Sequence, residues 1–341
     1  MLTLRRKIVY SFSCIFIIVI IFVIWFLGSG TVYPQNEIAY GLTFSKKRAA
    51  DLGFDWKQMY LAMVNELGVK KLRLVAYWDD IESQSGNYDF SDIDWQLEIA
   101  RQNGIEVILA MGARLPRWPE CHYPAWAKDL PAGERADHLY DYLAETIARY
   151  KSDKTIIAWQ IENEPFLPHF GDCPKLDKSV LDQEIALTKR LDSRPIVVTD
   201  SGELSFWIEA AKRADIFGTT MYRDTYSKKL GAYIHYPISP AFFHYKKNIT
   251  ALFAHPKDWI VIELAAEPWT PIDYQFVPKE ERDKTMSYDK FNEMLEFSRL
   301  AGFKTFYLWG VEYWYWEKAK NQDSSFWDKA KLLFAEKKRE A

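Results

Sequence analysis

The strongest constraint on how this chain can fold is a regular alternation of apolar, strand-like runs with amphipathic stretches. The runs are Ile38–Phe44, Lys71–Tyr77, Ile105–Met111, Thr155–Ile161, Pro195–Asp200, Asp215–Tyr222, Trp259–Glu263 and Lys304–Gly310. Between them lie stretches such as "WKQMYLAMVNELG", "SDIDWQLEIARQNG", "DHLYDYLAETIARYK" and "SYDKFNEMLEFSRLAG". Their apolar residues recur at three- and four-residue steps, the period of a helix with one buried face. Several end in glycine just before the next run, at Gly68, Gly104 and Gly302, which is a common helix stop. Strands alternating with helices predict parallel βαβ units, and eight of them over about 300 residues predict a closed (β/α)8 barrel. An open doubly wound sheet would usually carry a Gly-rich phosphate loop after its first strand, and "GLTFSKKRAADLG" contains none.

The amino terminus is organised differently. Ile8 to Leu27, "IVYSFSCIFIIVIIFVIWFL", contains no charge, and a run of roughly 20 such residues spans a bilayer as a helix. Arg5, Arg6 and Lys7 precede it and Glu37 is the next charge after it. The positive-inside rule then leaves residues 1–7 as a cytoplasmic basic tail and exports the rest of the chain. The expected organisation is a signal-anchor over 8–27, a linker over 28–36 and one barrel domain over 37–341. A cleaved signal peptide is the alternative, with Gly28-Ser29-Gly30 as a small-residue cleavage site, and the protein would then be secreted.

In a (β/α)8 barrel the active site lies at the carboxyl ends of the strands, so polar residues there are candidates for chemistry. Glu162, Asn163 and Glu164 end the fourth run, and Glu263 ends the seventh. Arg73 lies on the second, Tyr222 ends the sixth and Trp309 ends the eighth. Period-two alternation predicts Gln160, Glu162 and Glu164 on one face of the fourth strand, with Trp159 and Ile161 turned to the helices. Two carboxyl groups facing each other across a barrel mouth suit glycosidic bond cleavage, one protonated as acid and the other ionised. Their surroundings would have to push their pKa values apart. Arg73 reaching Glu263 would favour the ionised form there and leave Glu164 as the acid.

The stretches "WQIENEP" and "VIELAAEPW" resemble the clan A glycoside hydrolases, retaining (β/α)8 enzymes that include cellulases, mannanases and β-galactosidases. Leu72 to Trp118 is similar to the strand-two to strand-three region of families 42, 35 and 5, and the likeness runs over nearly all of Ile38 to Trp316. It implies Glu164 as acid/base and Glu263 as nucleophile, with their carboxyls about 5 Å apart as a retaining mechanism requires. It further implies Asn163 at the sugar 2-hydroxyl, Arg73 and Tyr222 as supports of Glu263, and Trp309 as the floor under the sugar. Two places depart from family 5. Thr220 stands where a histidine is frequent, and Gly112-Ala113-Arg114 stand where a His-Asn pair is usual.

Other residues are expected around this centre. Glu267 and Trp269 are candidate sugar contacts, Glu267 being also a competitor to Glu263 as nucleophile. Arg114, Trp118, His122 and Trp126 crowd the loop after the third strand and are candidates to line a subsite. Tyr313, Trp314 and Trp316 are candidate platforms, with packing on the barrel rim as the other reading. Glu162 is either a support of Arg73 or a paired interior charge, and Glu82 and Asp89 are expected to pin the loop after the second strand. The aromatic content, 14 Trp, 20 Tyr and 21 Phe, fits either sugar platforms or a large core.

In a closed barrel the loops after the third and fourth strands are neighbours, so Cys121 and Cys173 can pair in an oxidising compartment, two separate thiols being the other reading. The 6 histidines are dispersed and show no metal-ligand spacing, so no metal and no cofactor are expected. A net charge of -3 gives no reason to expect a nucleic-acid partner. No Gly-x-Ser-x-Gly elbow or nucleotide loop supports esterase or phosphoryl-transfer chemistry. The expected activity is therefore retaining hydrolysis of β-linked sugars of β-glucan, β-galactoside or β-mannan type, on an oligo- or polysaccharide. A transglycosidase remodelling surface glycan and a catalytically inactive carbohydrate-binding barrel are the alternatives.

Overall fold

The computed structural model describes residues 13–22, 32–35, 37–168, 170–175 and 177–335. Among the described residues ten strands occur in chain order: β1 Ala39–Thr43, β2 Lys71–Val75, β3 Glu106–Met111, β4 Ile156–Ile161, β5 Ile196–Asp200, β6 Ile216–Met221, β7 Asp224–Ser227, β8 Ala232–His235, β9 Asp258–Ala265 and β10 Thr305–Trp309. Eight of them close a barrel in the order β1-β10-β9-β6-β5-β4-β3-β2, and β7 and β8 form a separate antiparallel hairpin. Each expected strand is thus present, and β9 and β10 are the seventh and eighth of the barrel. All barrel pairs are parallel, including the closing pair, where Ala39 to Thr43 match Thr305 to Trp309 in register.

Alternation along each strand sorts side chains into two layers. Trp159 and Ile161 on β4, with Leu72, Leu109 and Phe306, pack outward into the main core beneath the helices. Ile108, Ala158, Val197, Ile260, Ile262 and Tyr307 form a smaller cluster of their own inside the barrel. The barrel interior is therefore a packed layer that supports the residues above it. Gly41 on β1 makes room for it, since a Cβ there would approach the Tyr307 ring to 2.9 Å. The helices Ser91–Gln102, Ala132–Tyr150, Lys178–Leu191 and Tyr288–Arg299 cover the outside with their apolar faces inward. The turn at Gly68, φ +71, ends the segment before β2 as its sequence predicts.

Residues 13–22 are helical, and Ile15, Phe16, Ile18 and Ile21 on them are more than half exposed. Among the described residues no helix is long and apolar enough to cross a membrane. The rest of the expected span, 8–12 and 23–27, and the basic tail 1–7 lie outside the described residues. Within the linker, the Tyr33 and Gln35 amides donate to Leu300 and Arg299 carbonyls at 2.9 and 3.2 Å, and Tyr33 stacks on His244. Since Leu300 precedes β10, the linker joins the barrel at the end opposite its mouth.

Candidate active site

The strand-four terminus abandons regular geometry where its polar residues begin. Glu162 and Glu164 take left-handed conformations, φ +56 and +43, each costing about 1–3 kcal/mol for a residue with a side chain. Three hydrogen bonds to neighbouring strands hold the turn: Glu162 N to Met111 O at 3.1 Å, Asn163 N to Arg114 O at 2.7 Å, and Glu164 N to Thr199 Oγ1 at 2.8 Å.

This corrects the alternation expected along the fourth strand. Gln160 and Glu164 do meet the barrel mouth, but Glu162 is turned to the β3 loop. Its Oε1 accepts from Ala113 N at 2.8 Å and its Oε2 from Arg114 N, and it pairs with buried Glu184 of the helix Lys178–Leu191. Gly112, φ +138, is required beside it, because a Cβ there would lie 2.6 Å from Glu162 Oε1. Gly112-Ala113-Arg114 therefore serves as an amide cradle for a structural carboxyl.

The remaining candidates converge on Arg73, which is fully buried. Its Nη1 donates to Glu263 Oε1 at 2.7 Å, its Nη2 to Asn163 Oδ1 at 2.7 Å and its Nε to Gln160 Oε1 at 2.8 Å. One planar fork thus orients the ends of β4 and β9 together. The Tyr222 hydroxyl donates to Glu263 Oε2 at 2.9 Å, so both oxygens of that carboxylate are held. Glu164 has the opposite environment. Burial raises its pKa well above the ordinary range, and the nearby charges of Glu263, Glu120 and Asp200 raise it further, with Arg114 acting against them. Two carboxyls with surroundings of opposite sense share one mouth, which is the arrangement an acid and a nucleophile need.

Glu120 belongs to this centre and was not a sequence candidate. It is buried, left-handed at φ +71, and accepts from Asn163 Nδ2 at 3.2 Å. Burial, then the Glu263 charge, push its pKa up to about 8. Arg117 was missed as well; its guanidinium lies 4.0 Å from the Trp309 ring centroid and pairs with Glu267 and Glu312. The one available signal was a loop, Arg114 to His122, holding four ionisable side chains beside a cysteine.

Glu267 accepts from Trp309 Nε1 at 2.7 Å, and Trp269 lies edge-on to Tyr222, ring centroids 5.5 Å apart. Trp118 stands at the rim, 64% exposed, with Lys228 5.2 Å from its ring. Tyr313 and Trp314 are fully buried and Trp316 nearly so, all three in the main core. They correct the platform expectation, because the helix Val311–Lys320 turns these rings inward. Trp126 donates to Glu82 O at 2.8 Å, and His122 sits 3.7 Å from Asp79. Glu82 accepts from Trp78 Nε1 and Gly86 N, and Asp89 from Ser91 N, all within the loop after β2. Cys121 and Cys173 form a disulfide with Cα atoms 5.3 Å apart, joining the β3 and β4 loops next to Glu120. Among the described residues no cluster could hold a metal ion.

Comparison with known proteins points to one class. The profile of glycoside hydrolase family 42, described as "Beta-galactosidase", matches residues 54–175. Beta-galactosidase BgaA of Clostridium cellulovorans is 27% identical over 165 residues, 42% of this chain and 25% of that protein. The exo-beta-1,4-mannosidase Op5Man5 from Opitutaceae bacterium strain TAV5 superposes with a TM-score of 0.55 at 14% identity, over 83% of this chain and 54% of its own. A glycoside hydrolase family 5 mannosidase from Rhizomucor miehei gives 0.55 at 16% identity, over 82% of each chain. This chain thus spans about a quarter of the curated relative's length and about half of the first of these solved structures. Residues 54–175 thus resemble the family 42 glycoside hydrolases, and the barrel shares the fold of these solved glycosidases.

Proposed function

We propose that this protein is a retaining β-glycosidase, acting on β-galactosidic, β-mannosidic or β-glucosidic bonds through a covalent intermediate on Glu263. The observation that carries the reading is the opposed environment of Glu164 and Glu263 in one mouth. Glu263, held by Arg73 and Tyr222, attacks the anomeric carbon while Glu164 gives its proton to the leaving oxygen. The aglycone departs as an alcohol and the sugar remains esterified to Glu263. Glu164, now ionised, takes a proton from water, and the resulting nucleophile displaces Glu263 to release the sugar. Asn163 is positioned to meet the 2-hydroxyl, with its amide orientation fixed by Arg73 on Oδ1 and Glu120 on Nδ2.

The test is turnover of a panel of aryl β-galactosides, β-mannosides and β-glucosides beside a Glu263→Gln variant, which should abolish it. A 2-fluoro-glycoside should add one sugar mass to the Glu263 peptide. Turnover that survives Glu263→Gln, or fragmentation of the labelled peptide that puts the sugar on Glu267, would sink this assignment. Release of sugar only to sugar acceptors would favour a transglycosidase.

We also propose that the chain is held by its apolar run 8–27 with the barrel outside the cytoplasm. The run's length, the preceding basic residues and the Cys121–Cys173 bridge support that reading. Protease added to intact cells should remove the barrel and leave a membrane-bound stub. A barrel found free in the medium would instead indicate cleavage after the run.

A further inference from the structure

The linker grips the barrel at one end. Tyr33 bridges to Ala301 and stacks on His244, ring centroids 3.5 Å apart. Beside it, Lys247 Nζ donates to the Gly302 carbonyl at 3.2 Å. His244 and Lys247 belong to the helix Pro240–Thr250, which follows the hairpin β7–β8 and leads through residues 251–257 into β9. A segment that enters a barrel strand lies at the amino-terminal end of the barrel, opposite the mouth. The turn before β9 and the segment under Tyr33 therefore share that end.

The turn is apolar on its outside. Ile249, Leu252 and Phe253 are 46%, 73% and 56% exposed. Single exposed apolar residues are ordinary, but three crowded into one turn have the composition of a contact surface. Lys212, Lys257 and Lys304, in the segments before β6, β9 and β10, are exposed as well, against Glu37 and Asp258. β6, β9, β10 and β1 are consecutive in the ring, so these residues occupy one sector. Apolar side chains set among an excess of lysines suit a bilayer surface with anionic headgroups.

The tether decides what covers this patch. The apolar run ends at Leu27 and Tyr33 is already fixed to the barrel, so only residues 28–32 lie between them. Six Cα steps reach at most about 20 Å, and a bilayer holding the run is therefore that close to the amino-terminal end. The mouth has exposed apolar side chains too, such as Phe206 after β5, but they stand at the end away from the tether. Resting on the anchor reading above, we propose that the turn 249–253, with the lysines around it, lies against the bilayer that holds the apolar run. The barrel then stands on its amino-terminal end, and Glu164 and Glu263 open toward the aqueous side, from which substrate is drawn.

The experiment uses the full chain with Cys14→Ser, reconstituted in vesicles of phosphatidylethanolamine and phosphatidylglycerol. Cys121 and Cys173 remain bridged, so a thiol-reactive fluorophore goes to one added cysteine, Leu252→Cys or Phe206→Cys. The quencher is phosphatidylcholine spin-labelled just below its headgroup. An apolar face at a bilayer sits about 5–10 Å into the headgroup boundary, so the label at position 252 should lose at least about half its fluorescence. The label at position 206 should lose almost none. Ile249→Asp combined with Phe253→Asp should abolish the quenching at position 252. Quenching that persists in that variant would show that the tether alone brings the turn to lipid, and would overturn the docking. So would an unquenched label at position 252, or quenching at position 206 instead, in a chain that alkaline carbonate fails to strip from the vesicles. A chain that carbonate does strip sinks the anchor reading itself, and the docking with it.

Discussion

Arg73→Met, studied together with Glu263→Gln, probes the centre most directly. Arg73 and Glu263 are 0% and 6% exposed and meet at 2.7 Å. Removing one partner of such a pair leaves an uncompensated buried charge, at a cost of about 3–5 kcal/mol. Gln160 Oε1 loses the Arg73 donor too, adding about 1–3 kcal/mol for a buried acceptor left unmade. Arg73→Met alone should therefore cost about 4–8 kcal/mol, a large part of the roughly 5–15 kcal/mol that domains usually possess. Most of that loss comes from the stranded Glu263 charge. Neutralising it should return stability, so the double variant should be more stable than the sum of the single effects predicts, by about 2–3 kcal/mol. Urea unfolding at pH 7, followed by tryptophan fluorescence for wild type, both singles and the double, measures the coupling. Effects that add to within about 0.5 kcal/mol would refute the argument that this pair acts as a unit.

Glu164→Gln should lower kcat/KM at least about 100-fold for glycosides with poor leaving groups, and far less for dinitrophenyl glycosides, which need little proton donation. In wild type, activity should fall as pH rises through the elevated pKa of Glu164, and a variant with no ionisable group there should lack that limb. Stability should also depend on pH. Glu120 is raised to about 8 and Asp200 to about 6 by burial, so between the ordinary carboxylate range and pH 8 the native state holds more protons than the unfolded chain. Their contribution is present in full at low pH and is lost as pH rises through that window. Comparing unfolding midpoints at pH 5 and pH 8, Glu120→Gln should show the smaller difference; an unchanged difference tells against the assignment. Replacing Cys121 and Cys173 by serine opens a loop with a sequence separation of 52 and should cost about 4 kcal/mol on the chain-entropy account. Calorimetry measures that cost, and alkylation of Cys121 and Cys173 without prior reduction would show that the bridge does not form.

The barrel was legible because each strand is a compact apolar run and each intervening helix repeats its apolar residues at helical steps. The hairpin β7–β8 was not, since "DTYS" and "AYIH" are half-exposed, short and carry no such run. Asn163, Glu164, Tyr222 and Glu263 could be drawn to one mouth from their places at strand ends and Arg73 from its place on the second strand, while the roles of Asn163 and Tyr222 came with the family resemblance. Glu162 could not be placed, because alternation assumes extended backbone and the left-handed turn at Glu162 is imposed by contacts with β3. Arg117 and Glu120 read as ordinary polar loop residues. Arg117 is buried by pairing with the β9 and β10 loops and Glu120 by the β4 loop at Asn163 and Gly171, meetings that no local pattern encodes. Tyr313 and Trp314 show the converse, aromatic residues after the last barrel strand whose helix phase carries them into the core.

The register between β1 and β10 has a bearing on how the protein is made. The strand that completes the ring is the last of the barrel to be synthesised, and its partner is the first. Until Thr305–Trp309 leaves the ribosome, β1 keeps an unpaired edge and Arg73 and Glu263 lack the closed ring that sets their positions. A nascent chain can build βαβ units one by one, but the final contact joins segments nearly a whole domain apart, the slow kind of closure. Biogenesis is thus obliged to shelter an open-edged intermediate until translation has passed β10. Truncation just before that strand should yield a chain bound by chaperones or aggregated, whereas removal of residues beyond the helix Ser325–Ala335 leaves the seam intact.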